Sequence, residues 1–309
     1  MPINQHFPPE GLHPHANHTL QSLKSAAETG EILEGFVQRC SADLTLHLSL
    51  NGIPAEIPRS EANAPWINGA SRDISVLSLV GKQISFTVKS VCADEKGAPL
   101  VLLSRRDAQE RAMERFLKSL KPGMILTCRI LRTEPFGAFA DIGCGIVALL
   151  PIERISVSRI AHPAERFRAG DTVLAAVLSF DPQRRRITLT QRELLGTWME
   201  NASRFSPGET VRGTVRSIQD YGAFIELTPN LSGLADSSPD LCPGDGVSVY
   251  IKSLRPENMK IKLHIIERLP QKAPDPLQYQ ITDGQLERWV YSPPNCEKIV
   301  ETDFTTPAP

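Results

Sequence analysis

Apolar and polar residues alternate in short runs along most of the chain, as around Val211, Val215 and Ile225, and the runs are bounded by glycine, proline and aspartate. A period of two is the signature of half-buried antiparallel strands. The runs also recur. Residues 205–227 echo residues 120–142 without a gap, so Gly123 maps to Gly208 and Phe136 to Tyr221 at an offset of 85. Farther on, Gly170-Asp171 maps to Gly244-Asp245 at an offset of 74, so the later copy lacks 11 residues between its third and fourth strands. Such a loss belongs in a loop. A fainter copy precedes both. Gly30 to Val37 resembles the opening strand, Ala55-Glu56-Ile57-Pro58 lies 93 residues before Ala148-Leu149-Leu150-Pro151, and Val80 to Val88 repeats the glycine-started strand.

About five short strands fit each copy, and closing them into a barrel buries a core while removing exposed edges. The expected fold class is therefore mainly β: three tandem five-stranded OB-type barrels joined by short α-helices. Between copies the period changes. Arg105 to Leu120 is rich in helix formers and carries Ala112, Met113, Phe116, Leu117 and Leu120 on one side before Pro122-Gly123. A second linker helix is expected from Arg192, with Leu194, Leu195, Trp198 and Met199 before Pro207-Gly208. The chain thus divides into a flexible N-terminal tail (1–28), a degenerate barrel (29–104), a linker helix (105–120), a second barrel (121–191), a linker helix (192–205), a third barrel (206–268) and a C-terminal hairpin and tail (269–309). The hairpin is expected to run from Leu277 to Tyr291 around Asp283-Gly284 and to pack on the third barrel. Trp198 and Trp289 read as packing anchors.

Composition narrows the function. The longest apolar stretch, Ile142 to Ile152, spans 11 residues and contains Gly143, Gly145 and Pro151, about half of what a membrane-crossing helix needs. Residues 1–6 lack the basic start and apolar run of a secretory signal, so a cytoplasmic location and no membrane partner are expected. Six cysteines without a Cys-x-x-Cys pair read as buried, reduced thiols. The formal net charge is −1, so any anionic partner must be met locally. Residues 121–192 supply such a locus: eleven Lys and Arg against six Asp and Glu give a net of +5, and the rest of the chain −6. Arg154, Arg159, Arg166 and Arg168 fall in the loop that the third copy has shortened. Arg184, Arg185 and Arg186 fall in the turn before the fifth strand.

Phe136-Gly137-Ala138-Phe139 recurs as Tyr221-Gly222-Ala223-Phe224. In a regular strand positions i and i+3 face opposite ways. A glycine after the first ring permits a turn or bulge that brings both rings to one side. Two coplanar exposed rings would make a platform on which the bases of a single strand stack, whatever their sequence. A lone aromatic in a strand is more often core, but here the pair recurs at matched positions and arginines gather beside one of them.

These residues resemble a known family. Gly-x-x-Val-x-Gly-x-Val, Phe-Gly-Ala-Phe, a Gly-rich turn, Gly-Asp-x-Val and a basic-Ile-x-Leu strand look like the S1 RNA-binding domain, strongly in copies two and three and weakly in copy one. The tandem arrangement resembles the bacterial ribosomal S1 proteins, and Arg192-Glu-Leu-Leu-Gly-Thr-Trp198 resembles the linkers of short clostridial-type members. The resemblance places the stacking aromatics on Phe136 and Phe139 and on Tyr221 and Phe224. It places the aspartate and basic residue near the fifth strand on Asp181 and Arg186, then on Arg255 and Lys260. The histidine of the family is replaced by Pro151 and Asp236, and copy one has Asp43 and Leu46 where the rings would be.

Other motifs are set aside. Gly143-Cys-Gly-Ile-Val-Ala148 formally fits a dinucleotide-binding turn, but Pro151 follows at once and no helix can. His13, His15 and His18 sit in a proline-broken segment without acidic or cysteine partners, so no metal is assigned. No nucleophile elbow, Walker loop or paired acids suggest catalysis, a cofactor or a small-molecule substrate. The reading is a non-catalytic RNA-binding protein that grips single-stranded RNA, with mRNA at the 30S ribosomal subunit implied by the resemblance. Two alternatives stand beside it: an RNA-decay or stress-response factor off the ribosome, and a protein-interaction scaffold in which Phe136 and Phe139 form a hydrophobic hot spot.

Overall fold

Each copy of the repeat folds onto itself because every first strand is long enough to pair with two neighbours. The computed structural model describes residues 7–12, 18–67, 72–93, 97–236, 240–270 and 276–305. Barrel one contains β1 (Ile32–Cys40), β2 (Leu46–Leu50), β3 (Ile53–Ile57), β4 (Gln83–Ala93) and β5 (Pro99–Ser104); barrel two contains β6 (Ile125–Glu134), β7 (Gly137–Asp141), β8 (Val147–Pro151), β9 (Thr172–Asp181) and β10 (Arg186–Thr190). Barrel three contains β11 (Thr210–Gln219), β12 (Gly222–Thr228), β13 (Leu231–Ala235), β14 (Gly246–Arg255) and β15 (Lys260–Leu269). All three close in the same order: first, second, third, fifth, fourth strand. The third and fifth strands pair in parallel and the rest antiparallel. A bulge falls at the same point of each first strand, at Gln38, Leu131 and Arg216, and bends it around the barrel wall. Alternate side chains fill each interior; in barrel two they include Leu126, Cys128, Ile130, Ala138, Ala140, Val177 and Leu189. Of the six free thiols, only Cys128 and Cys144 are buried; Cys92 and Cys242 are exposed.

The connections depart from expectation in three places. The first linker is one helix as anticipated, Arg105–Ser119, capped by Ser104 accepting from the Asp107 N–H at 2.9 Å and burying Met113 and Phe116 on barrel two. The second is not continuous. Arg192–Leu195 form a 3₁₀ turn, Gly196 adopts φ +86°, and Thr197 then caps a separate five-residue helix (Trp198–Ala202) with a reciprocal bond to Glu200. A left-handed glycine followed by a good N-cap ends one helix and starts another. Trp198 still buries in barrel three.

The N-terminal region holds fixed structure where a loose tail is expected. Leu20–Thr29 form α1, boxed at its start by Thr19 and Ser22, closed by Gly30 at φ +69°, with Leu23 and Ala26 buried on barrel one. Ahead of it, the Phe7 ring meets Phe116 edge-on at 6.4 Å and the Glu10 carboxylate pairs with buried Arg105 at 2.8 and 2.9 Å. Two apolar anchors and one charge are enough to seat a segment whose prolines hide its pattern. His18 is buried, its Nε2 3.1 Å from the Glu34 carbonyl; His13 and His15 lie outside the described residues.

The expected hairpin around Asp283-Gly284 is absent. Leu277 to Leu286 instead lies across barrel two, where Tyr279 and Ile281 cover Ile125 and Leu194. The Tyr279 hydroxyl oxygen accepts from the Leu174 N–H (3.1 Å) and from Gln191 (3.0 Å), and burial pushes the phenol up to about 12. The strand pairing that does form joins Arg288–Val290 to Glu301–Asp303, with Trp289 and Tyr291 in the core of barrel three. Closed barrels offer no free edge, so the alternating run 277–282 finds its apolar cover on a barrel surface rather than in a turn partner.

Barrels two and three are joined by a polar seam. Asn230, fully buried, donates to the Arg192 and Gly196 carbonyls at 2.7 and 2.8 Å and accepts from the Val157 N–H at 3.0 Å. Ser158 bonds Ser232 at 2.7 Å. Arg166 and Arg216 share the Glu226 carboxylate, and Arg216 also pairs with Glu165. No helix among the described residues is long and apolar enough to cross a membrane.

Candidate nucleic-acid interface

The site on barrel two begins with a turn. β6 and β7 are joined by Pro135 and Phe136 alone. Gly137 follows because a Cβ there would lie 2.6 Å from the Leu150 carbonyl oxygen, and the Phe136 carbonyl accepts from the Ile152 N–H at 3.0 Å, fixing the turn against β8. Inward positions of β7 hold Ala138 and Ala140, both fully buried. Phe139 therefore faces out. Phe136 is 57% exposed and its ring centroid is 5.9 Å from that of Phe139. Both rings share one outer surface, but they are not coplanar: the planes meet at 86°. An edge-to-face pair satisfies the ring quadrupoles, so the platform is a corner with Phe136 projecting.

The bulge at Leu131 puts Arg132 directly across from Phe139, and its guanidinium carbon stands 4.4 Å from the Phe139 centroid. One ring face is covered by a cation while Phe136 stays open. Barrel three repeats the corner with Tyr221, 68% exposed, and Phe224 at 6.2 Å and 89°. There the cross-strand partner of Phe224 is Ser217.

The arginine turn is built by Asp181, whose carboxylate accepts from the Gln183 and Arg184 N–H groups at 3.0 and 2.9 Å. Asp181 shapes the turn through its backbone and pairs across the strands with Arg186. Arg184 and Arg186 are exposed, and Arg185 lies over the Trp66 ring at 5.1 Å. The other arginines divide. Arg159 and Arg168 are exposed, Arg154 is half-buried beside Arg192 and Glu193, with its pKa lowered by burial first and Arg192 second, and Arg166 is committed to Glu226. Arg166 is thus a clasp between barrels, because the loop that barrel three lacks lies against barrel three. Arg255 and Lys260 form an exposed cross-strand pair at the β14–β15 turn.

Residues 119–192 match the family model described as S1 RNA binding domain. The match covers the middle barrel. Relatives extend the match: a small ribosomal subunit protein bS1 homolog of Bacillus subtilis is 28% identical over 86% of this chain and 71% of its own length. The small ribosomal subunit protein bS1 of Leuconostoc lactis is 30% identical over 74% of this chain and 55% of its own. In Neisseria meningitidis the corresponding figures are 30%, 70% and 38%, so the chain spans well under two thirds of these last two relatives. A solved multidomain protein with nucleic acid binding domains from Streptococcus pneumoniae aligns over 78% of this chain at 12% identity and a TM-score of 0.26.

Against the S1 pattern, the structure shifts one assignment. An ungapped offset puts Leu46 of barrel one at the second ring position, yet Leu46 is fully buried and His47 pairs with Arg39 across the bulge, as Phe139 pairs with Arg132. From Arg39 to its cross-strand partner His47 the chain runs one residue farther than from Arg132 to Phe139, and a one-residue slip exchanges faces. His47 is therefore the outward ring of barrel one. Its Nδ1 lies 3.2 Å from Glu56 and its Nε2 3.1 Å from the Ser41 hydroxyl. Asp43, in the loop, is held by Ser41 and Thr45, whose hydrogen bonds lower its carboxyl to about 2. At the histidine position of the family, Pro151 ends β8 and Asp236 pairs with Lys252 at 3.8 Å. Neither offers an imidazole. Sequence reading missed Arg132 and Trp66. Arg132 becomes visible only when the bulge is counted, and Trp66 only as an aromatic without a periodic partner. Among the described residues no group of three or more His, Cys, Asp or Glu could hold a metal ion.

Proposed function

We propose that this chain binds single-stranded RNA, with barrel two as principal grip and barrel three assisting, and that its cytoplasmic substrate is mRNA at the small ribosomal subunit. The observation that carries this is the outward corner of Phe136 and Phe139 beneath Arg132. A base stacked on the open Phe136 ring gains on the order of 1 to 3 kcal/mol without regard to its identity. Arg184, Arg185 and Arg186 supply phosphate contacts from the β9–β10 turn of the same barrel, with Asp181 shaping the turn, and Tyr221, Phe224, Arg255 and Lys260 offer a second, less charged footing. Two modules on one chain raise avidity through effective concentration. The site gives binding and no chemistry, and relatives that are small ribosomal subunit proteins support a place in translation.

Filter binding of the full chain to oligouridylate across a salt series tests the RNA reading. Affinity is expected to fall steeply with salt as counterions are released; binding absent at low salt, or insensitive to salt, refutes it. Co-sedimentation with purified 30S particles, with and without mRNA, tests the ribosomal part separately.

A further inference from the structure

We propose that barrel one completes the RNA-binding surface of barrel two by lending it Trp66, which holds the Arg185 guanidinium in place for a phosphate. This rests on the reading of barrel two as the RNA grip and adds a residue from its neighbour. Trp66 lies in the connection that leaves β3, yet its ring packs against the core cluster of barrel two. The linker helix holds that connection from behind. Gln109, fully buried, accepts from the Ala64 N–H at 2.8 Å, and Arg105 donates to the Ala62 carbonyl at 3.3 Å and to Asn63 at 2.5 Å. The Ala64 carbonyl accepts from the Ile67 N–H at 3.0 Å, a turn that has Pro65 and Trp66 at its centre, and proline suits the first central position.

A second observation comes from the backbone. Arg185 sits at φ +51°, a left-handed conformation that glycine takes freely and a side chain takes at a cost. Arg184 and Arg186, on either side, have negative or ordinary backbone angles and are exposed. Met259 takes the same angle, φ +49°, at the matching turn of barrel three, so the conformation belongs to the hairpin; what positions Arg185 is the ring lent by another barrel, 5.1 Å from its guanidinium carbon. A guanidinium held over an aromatic face loses side-chain freedom and keeps the planar fork of donors that grips a phosphate through two bonds. Lysine offers the charge without the plane. The Trp66 Nε1 is buried without a hydrogen-bond partner among the described residues, so the ring face is what the arrangement uses, and phenylalanine serves equally.

Fluorescence anisotropy of the full chain with labelled oligouridylate tests the pairing. Trp66→Leu and Arg185→Gln are each expected to weaken binding about threefold to tenfold and to lower the log–log salt slope by about 0.7, the share of one phosphate on a single strand. The double variant is expected to be no worse than either single one, Trp66→Phe to bind as the unaltered chain, and Arg185→Lys to lose affinity despite its charge. A thermal melt accompanies each variant; if Trp66→Leu fails to fold, Arg185→Lys decides. The proposal is overturned if Trp66→Leu folds and leaves affinity and slope unchanged, or if Arg185→Lys binds normally. Phe136→Ala/Phe139→Ala is measured in parallel. Retained affinity there overturns the reading of barrel two and this inference with it, whereas loss there with none in Trp66→Leu removes Trp66 alone.

Discussion

Barrels one and two share five strands, one strand order and a bulge at the same point of the first strand, yet they differ where the second strand begins. In barrel two a two-residue turn ends on Phe136 and the outward position holds Phe139. In barrel one the loop is the five residues 41–45, no ring stands in it, and the outward position holds His47 bonded to Ser41 and Glu56. The framework is common property, and the length of one loop decides whether a barrel offers an aromatic corner or a satisfied polar surface. Barrel three lies between them: it keeps the corner but has Ser217 where barrel two has Arg132.

The largest test of that difference removes the corner. Phe136→Ala/Phe139→Ala is expected to weaken oligouridylate binding at least about tenfold, and Tyr221→Ala/Phe224→Ala distinctly less; equal losses would make the two barrels equivalent. Next comes charge. Arg184→Gln with Arg186→Gln is expected to reduce the log–log salt slope by roughly 1.4, two phosphates on a single strand, as read from filter binding at several salt concentrations.

A third test moves the cation between barrels. Arg132→Ser is expected to cost about twofold to threefold, and Ser217→Arg to gain about as much, if a guanidinium over the inner ring is what separates barrel two from barrel three. Isothermal titration of both variants reads the pair. The smallest effect is expected in barrel one, where His47→Phe should gain no more than about twofold, because the loop 41–45 holds no counterpart of Phe136. A larger gain would show that the inner ring alone suffices.

The repeat, the barrel class and the first linker helix were legible because each rests on a local period or on matched glycines. Phe136 and Phe139 were legible because they recur. What escaped was set by register and by tertiary cover. An ungapped offset sets Leu46 at a ring position because it hides one extra residue between Arg39 and its partner His47, and spacing carries no information about ring planes. The Asp283-Gly284 hairpin failed because Tyr279 and Ile281 found a better apolar surface on barrel two than in each other's strand. Arg166 was expected at an exposed loop, and no local pattern shows that Glu226, 60 residues later, takes it up.

The most direct measurement is ultraviolet cross-linking of the full chain to oligouridylate followed by peptide mapping. Cross-links are expected to concentrate on the β6–β7 hairpin, at Phe136 and Phe139, with a weaker set at Tyr221 and Phe224. Cross-links confined to barrel one or to the C-terminal segment, with the β6–β7 hairpin unmarked, would contradict the assignment of RNA to the aromatic corner.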